Sequence, residues 1–174
     1  MKRRVLLKSF TALAILPLIA ACSRGRAIAS ITSTITVTSL NKPHEAWREL
    51  LSPEAYRVLF EEDTERPSTS ALNYEDRDGV FICAACYLPL FESAYKYESG
   101  TGWPSFTQPI AGHVETKRDF MMIIPRTEYH CARCGGHQGH LFNDGPPPHR
   151  ERWCNNGVAL RFVPKGKPLP ALRS

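Results

Sequence analysis

Cys83-Ala84-Ala85-Cys86 and Cys131-Ala132-Arg133-Cys134 are two CxxC pairs 44 residues apart, and no other feature of the 174-residue chain constrains its fold as tightly. A CxxC turn brings two thiolates to the separation that a tetrahedral Zn²⁺ requires, and two such turns close a four-thiolate shell. The intervening length can hold a few strands. Because protein fills all four positions, such a zinc is structural and not catalytic. Two other uses of the same cysteines stay open. An exported chain can form disulfides within or between the pairs. A thioredoxin-like redox pair would need a βαβ context that this sequence lacks.

Lys2, Arg3, Arg4, Lys8, Arg24 and Arg26 supply six cations before residue 27 with no acid among them, and the 12 residues from Phe10 to Ala21 are almost wholly apolar. A spanning helix needs about 20 apolar residues, so this pattern reads as an export signal over 1–21. Arg3-Arg4-Val5-Leu6-Leu7-Lys8 resembles a twin-arginine motif, and Ile19-Ala20-Ala21-Cys22 a lipobox whose cysteine is acylated. A rival cut follows Ala29. The first cut leaves 18 basic against 17 acidic side chains, the second 16 against 17. The formal +5 therefore belongs mostly to the leader. The nearly neutral remainder removes the electrostatic case for nucleic-acid binding. The localisation expected is periplasmic, as a membrane-anchored lipoprotein.

Residues 22–40, rich in Ser and Thr, read as a tether. Two helices are expected next. Pro43 opens the first, with Trp47, Leu50 and Leu51 as its stripe. Ser52 caps the second, with Pro53 at its first position and Ala55, Leu59 and Phe60 on one face. Residues 63–74 read as loop. Short strands are expected at Val80–Cys83, Lys96–Tyr97, Phe120–Ile124, Glu128–Cys131 and Val158–Val163. The working domain spans 41–164, and 165–174 is a solvated tail. The fold class is mainly β, an antiparallel domain with helices at its N-terminus.

Cys154 stands outside both pairs, in Arg152-Trp153-Cys154-Asn155-Asn156. If this segment is extended, Arg152 and Asn156 share a face with Cys154, and Arg152 favours its thiolate. His137 and His140 follow the second CxxC. With the metal shell already complete, their imidazoles can serve acid–base work or structural hydrogen bonds. Trp103, in Ser99-Gly100-Thr101-Gly102-Trp103-Pro104-Ser105-Phe106, sits among turn residues where an indole can wall a pocket.

Together these segments resemble the B-type methionine sulfoxide reductases, which act on the R epimer of the sulfoxide. The match also takes in Ser52-Pro53-Glu54-Ala55-Tyr56-Arg57 and the run from Cys134 to Pro146, and it extends from about Lys42 to Val163. The resemblance implies two antiparallel β-sheets with N-terminal helices and a zinc held by Cys83, Cys86, Cys131 and Cys134 away from the pocket. It implies Cys154 as nucleophile and His140, with His137 nearby, as proton source. It implies Asp144 and Asn156 as orienting groups, Arg152 as the partner of the thiolate, and Trp103 and Phe142 against the substrate. The reaction implied is reduction of protein-bound or free methionine-R-sulfoxide through a Cys154 sulfenic acid, as repair of oxidised exported proteins.

The chain also departs from the family pattern. Many relatives carry a resolving cysteine, and Thr101 occupies the turn before the tryptophan here. With four thiols on zinc and Cys22 acylated, Cys154 has no internal partner, so the reductant expected is an external thiol or a thioredoxin-like domain. His149-Arg150 and Gly157 stand where the family has Thr-Gly and Ser. The rival readings are a non-catalytic zinc-binding interaction module and a thiol–disulfide oxidoreductase with one metal-free CxxC. A monomer is the simplest expectation.

Overall fold

The computed structural model describes residues 37–119 and 126–174. The export signal, the lipobox at Cys22, most of the tether and the strand expected at Phe120–Ile124 lie outside the described residues. No helix among the described residues is long and apolar enough to cross a membrane.

Ser52 opens the one α-helix among them, α1 (Pro53–Phe60). Its hydroxyl accepts the Ala55 N–H at 3.2 Å and Pro53 takes the first turn, where its missing N–H costs nothing. The helix buries Ala55, Tyr56, Val58 and Leu59. The expected preceding helix is only a 3₁₀ turn, His44–Trp47. Pro53 bars the residue before it from helical backbone, so the segment never reaches the length at which a stripe pays off. Trp47 is fully buried beside Phe60, while Leu50 faces solvent.

Nine short strands follow among the described residues: β1 (Gly79–Cys83), β2 (Pro89–Glu92), β3 (Lys96–Tyr97), β4 (Ser105–Phe106), β5 (Val114–Asp119), β6 (Arg126–Cys131), β7 (His137–Phe142), β8 (Arg152–Asn155) and β9 (Leu160–Pro164). They form two antiparallel sheets, ordered β2-β1-β9 and β3-β4-β8-β7-β6-β5. The mainly β fold read from the sequence is thus the fold observed. β2, β4, β5, β7 and β8 lie outside the strands expected from patterning, and the strand expected at Val158–Val163 begins only at Leu160, after a 3₁₀ turn at Gly157–Ala159. Phe91 and Phe106 stack at 4.1 Å and Phe81 meets Phe106 edge-on at 5.0 Å. These three fully buried rings close one sheet on the other, each worth about 1.5–3 kcal/mol of burial.

The tail is not wholly solvated. Most of 165–174 is exposed, but the Arg173 N–H donates to the Cys86 carbonyl at 3.0 Å and its guanidinium bonds the Tyr87 hydroxyl and covers that ring. A cation paired with an aromatic face and a backbone acceptor holds where a bare polar tail would not.

Candidate active site and metal centre

Residues directly opposed across antiparallel strands project from the same face. In the six-stranded sheet, Tyr97, Ser105, Cys154, His140, Glu128 and Lys117 are successive partners, one from each strand. The chemistry-bearing groups therefore form a single row across the sheet. Cys154 lies mid-row, half-buried, with His140 on one side and Ser105 on the other.

Burial pushes the Cys154 thiol up. The Arg152 charge and hydrogen bonds from Thr101 and Arg152 pull it down without cancelling the burial. Arg152 thus shares the face of Cys154, as the extended strand requires, but does not by itself hold a resting thiolate. The Asp144 carboxylate accepts from Nε and Nη2 of Arg152 at 2.7 and 2.9 Å, and the guanidinium lies 4.2 Å over the Phe142 ring. Asp144, read from the resemblance as an orienting group, is paired here with Arg152, because a planar guanidinium and a carboxylate match in two bonds.

Asn156 leaves the strand and points into the interior. Its Oδ1 accepts the Glu65 N–H at 3.1 Å and its Nδ2 donates to the Gln138 carbonyl at 3.0 Å. Its side chain thus ties the 63–70 loop to β7. Glu65, buried in the 63–70 loop, accepts the Gly157 and Val158 N–H groups at 2.6 and 2.9 Å, and its carbonyl accepts the Trp103 indole N–H at 3.2 Å. One residue therefore fixes both the turn after Cys154 and the half-buried Trp103.

The carboxylate beside the histidines is Glu128. Its Oε2 lies 3.4 Å from His137 Nδ1, and its Oε1 lies 3.4 Å from His130 Nε2 and 3.2 Å from Lys117 Nζ. Burial alone would raise this carboxyl; Lys117 and His130 reverse that and hold it below its ordinary value. His137 is buried, His140 is half-buried, and their rings lie 5.3 Å apart.

Cys83, Cys86, Cys131 and Cys134 come together at the ends of β1 and β6, their sulfurs within 4.8 Å of one another. The Cys83–Cys134 and Cys86–Cys131 separations are 3.6 and 3.5 Å. Zn–S bonds of about 2.3 Å at tetrahedral angles demand nearly this spacing, so the four cysteines fit a zinc site. Both knuckles turn through a left-handed residue after the second cysteine, Tyr87 at φ 66° and Gly135 at φ 72°. Gln138, fully buried, donates to Cys83 Sγ at 3.5 Å, and its Oε1 accepts from Asn155 Nδ2 at 3.5 Å. It links the quartet to the strand of Cys154.

Sequence reasoning missed Glu65, Tyr97, Ser105, Glu128 and Gln138. Only Glu128 had a legible signal: an acid alternating with Tyr129 and His130 toward a CxxC, in a strand with one buried face.

A SelR domain model matches residues 51–164. Relatives named peptide methionine sulfoxide reductase MsrB include those of Bradyrhizobium diazoefficiens, 49% identical over 71% of this chain and 90% of the relative, and of Leptospira interrogans, 48% identical over 71% and 95%. That of Caulobacter vibrioides is 49% identical over 75% and 86%. Among solved structures, the Mis18 "Yippee-like" domain is matched over 52% of this chain and 100% of its own, at 19% identity and a TM-score of 0.42, too slight a likeness for argument. A SelR match across most of the chain and near-half identity over almost the whole length of these relatives place the chain in the B-type peptide methionine sulfoxide reductase family, as an oxidoreductase acting on methionine sulfoxide.

Proposed function

We propose that this chain reduces the R epimer of methionine sulfoxide, in proteins and as the free amino acid, through a sulfenic acid on Cys154. The observation that carries the proposal is the placement of Cys154 directly between Ser105 and His140 on one sheet face, with Arg152 two residues along the same strand. Cys154 Sγ attacks the sulfoxide sulfur and the S–O oxygen passes to Cys154. The substrate sulfur gains two electrons and leaves as a thioether, while Cys154 loses two. The proton that the oxygen needs comes from the resting thiol, relayed by His140 with His137 beside it. Arg152 lowers the cost of the thiolate during attack, and Asp144 keeps Arg152 in place. Trp103 and Phe142 supply the apolar wall for the substrate methyl group.

Two equivalents of an external thiol, from a thioredoxin-like protein, then return Cys154 to the thiol with release of water and a disulfide. Among the described residues every other cysteine belongs to the quartet, which supports an external reductant. Cys83, Cys86, Cys131 and Cys134 would hold one Zn²⁺, which contributes stability and no chemical step. The leader pattern supports export, lipidation at Cys22 and repair of oxidised proteins outside the cytoplasm.

The test is turnover of dabsylated methionine-R-sulfoxide with dithiothreitol by wild type and Cys154→Ser, paired with dimedone trapping and mass spectrometry. The wild type turns over and gives a single adduct at Cys154, and the variant does neither. Absence of Cys154-dependent turnover removes the proposal, and an intramolecular Cys154 disulfide removes the external-reductant step.

A further inference from the structure

We infer that Glu128, His130 and His137 form a second metal site, separate from the cysteine quartet, which takes one divalent transition-metal ion such as Zn²⁺ and, when filled, stops the reductase. Their ligand atoms, one carboxylate oxygen and two imidazole nitrogens, all lie within 4.8 Å of one another. His130 and His137 face each other across the β6–β7 ladder, and Glu128 lies two residues before His130. Zinc bonds to nitrogen and oxygen of about 2.0–2.1 Å at tetrahedral angles set ligand atoms about 3.4 Å apart. Each oxygen of the Glu128 carboxylate lies 3.4 Å from one imidazole nitrogen, Oε1 from His130 Nε2 and Oε2 from His137 Nδ1, so the carboxylate spans both rings.

The tautomer of His130 makes the argument specific. Its Nδ1 lies 3.0 Å from the Gly135 carbonyl oxygen. A carbonyl can only accept, so Nδ1 carries a hydrogen and Nε2 is the nitrogen turned toward Glu128. That Nε2 is shut off from solvent, has no hydrogen-bond partner, and faces Glu128 Oε1. A carboxylate oxygen and an imidazole nitrogen so opposed require a positive charge between or beside them, either a proton on the ring or a metal ion. Lys117 Nζ, 3.2 Å from the same oxygen, supplies part of that charge from a side chain 64% exposed, which can swing into water and let an ion pass. A backbone acceptor on the second nitrogen of a ligating histidine is also the usual way a metal site fixes its tautomer. Two imidazoles and a carboxylate with one position open suit Zn²⁺ or Cu²⁺ better than Mg²⁺ or Ca²⁺.

Occupancy would commit His137 to the metal and draw Glu128 away from Lys117. The inhibitory half of the inference rests on the proposed role of His137 beside His140; the binding half does not. The experiment uses full-length, prereduced, zinc-loaded protein freed of small thiols, because dithiols would chelate the added ion. Metal analysis at buffered free Zn²⁺ is expected to find two equivalents in the wild type and one in His130→Ala. His130→Gln, which keeps a donor near Gly135, serves where the alanine variant folds poorly. Co²⁺ in the second site gives ligand-field bands without sulfur-to-metal charge transfer, and an unchanged charge-transfer band from the quartet shows that the neighbouring Cys131 is undisturbed. A single-turnover burst on a methionine-R-sulfoxide peptide needs no added reductant. The zinc concentration that halves this burst is expected to rise at least tenfold in His130→Ala. One equivalent in the wild type, or a second equivalent that persists in His130→Ala, overturns the site. Two equivalents with an unaffected burst overturn the inhibition. Two equivalents with no burst even without added zinc support the site and remove the functional reading instead.

Discussion

Burial and charge pull Cys154 in opposite directions, and burial prevails. Its reactivity is therefore expected to grow as pH rises through a value above that of an ordinary cysteine. Arg152 opposes the rise, so Arg152→Met should move the midpoint of Cys154 alkylation by iodoacetamide further up the pH scale; a midpoint that stays or falls would contradict this. Glu65 is the second residue to test. Glu65→Ala strands the Gly157 and Val158 N–H groups and frees the loop that holds Trp103. Stability should drop by about 1–3 kcal/mol in urea titration, with KM rising more than kcat falls. At this scale the sequence was most legible where chemistry is local. CxxC spacing and a solitary cysteine can be read from one segment. The partners of Asp144 and Asn156 cannot, because they are chosen by which loops fold against them.

The strands explain why those choices were hidden. β7 carries Gly139 and follows Gly135-Gly136, so it reads as a turn-rich loop, yet it pairs with both β6 and β8. Gly139 sits opposite Asn155, where a methyl group would run into the Cys154 carbonyl oxygen. The glycine marks close approach of backbones and not a bend. Gly139→Ala should force β7 and β8 apart, costing about 1–3 kcal/mol in chemical denaturation and depressing turnover further than that loss of stability explains. α1 was legible because its cap, its proline and its apolar face agree. The stripe at Trp47, Leu50 and Leu51 misled because periodicity says nothing of the proline that cuts it short. β4, two residues long, has no pattern to read and is defined by its neighbours.

Over the whole molecule, the first CxxC ends a strand of the three-stranded sheet and the second a strand of the six-stranded sheet. A metal there joins the two layers at one point, and Gln138 carries the junction to the strand of Cys154. Structural zinc contributes on the order of 10 kcal/mol in small domains, comparable with the whole stability of a domain. Stripping it with a chelator should give cooperative loss of the near-ultraviolet signal of Trp47 and Trp153, restored by Zn²⁺. Retention of native signal by metal-free protein would show that the aromatic core suffices alone. The transverse row from Tyr97 to Lys117 carries one more consequence, for how such a chain can change length through descent. A site written across strands tolerates substitution one position at a time. One residue inserted or deleted within β4, β6, β7 or β8, however, turns every later side chain of that strand to the opposite face. Only a bulge can absorb such a change, as the one at Gln138 does between His137 and Gly139, whereas connections such as 143–151 can grow without breaking the row.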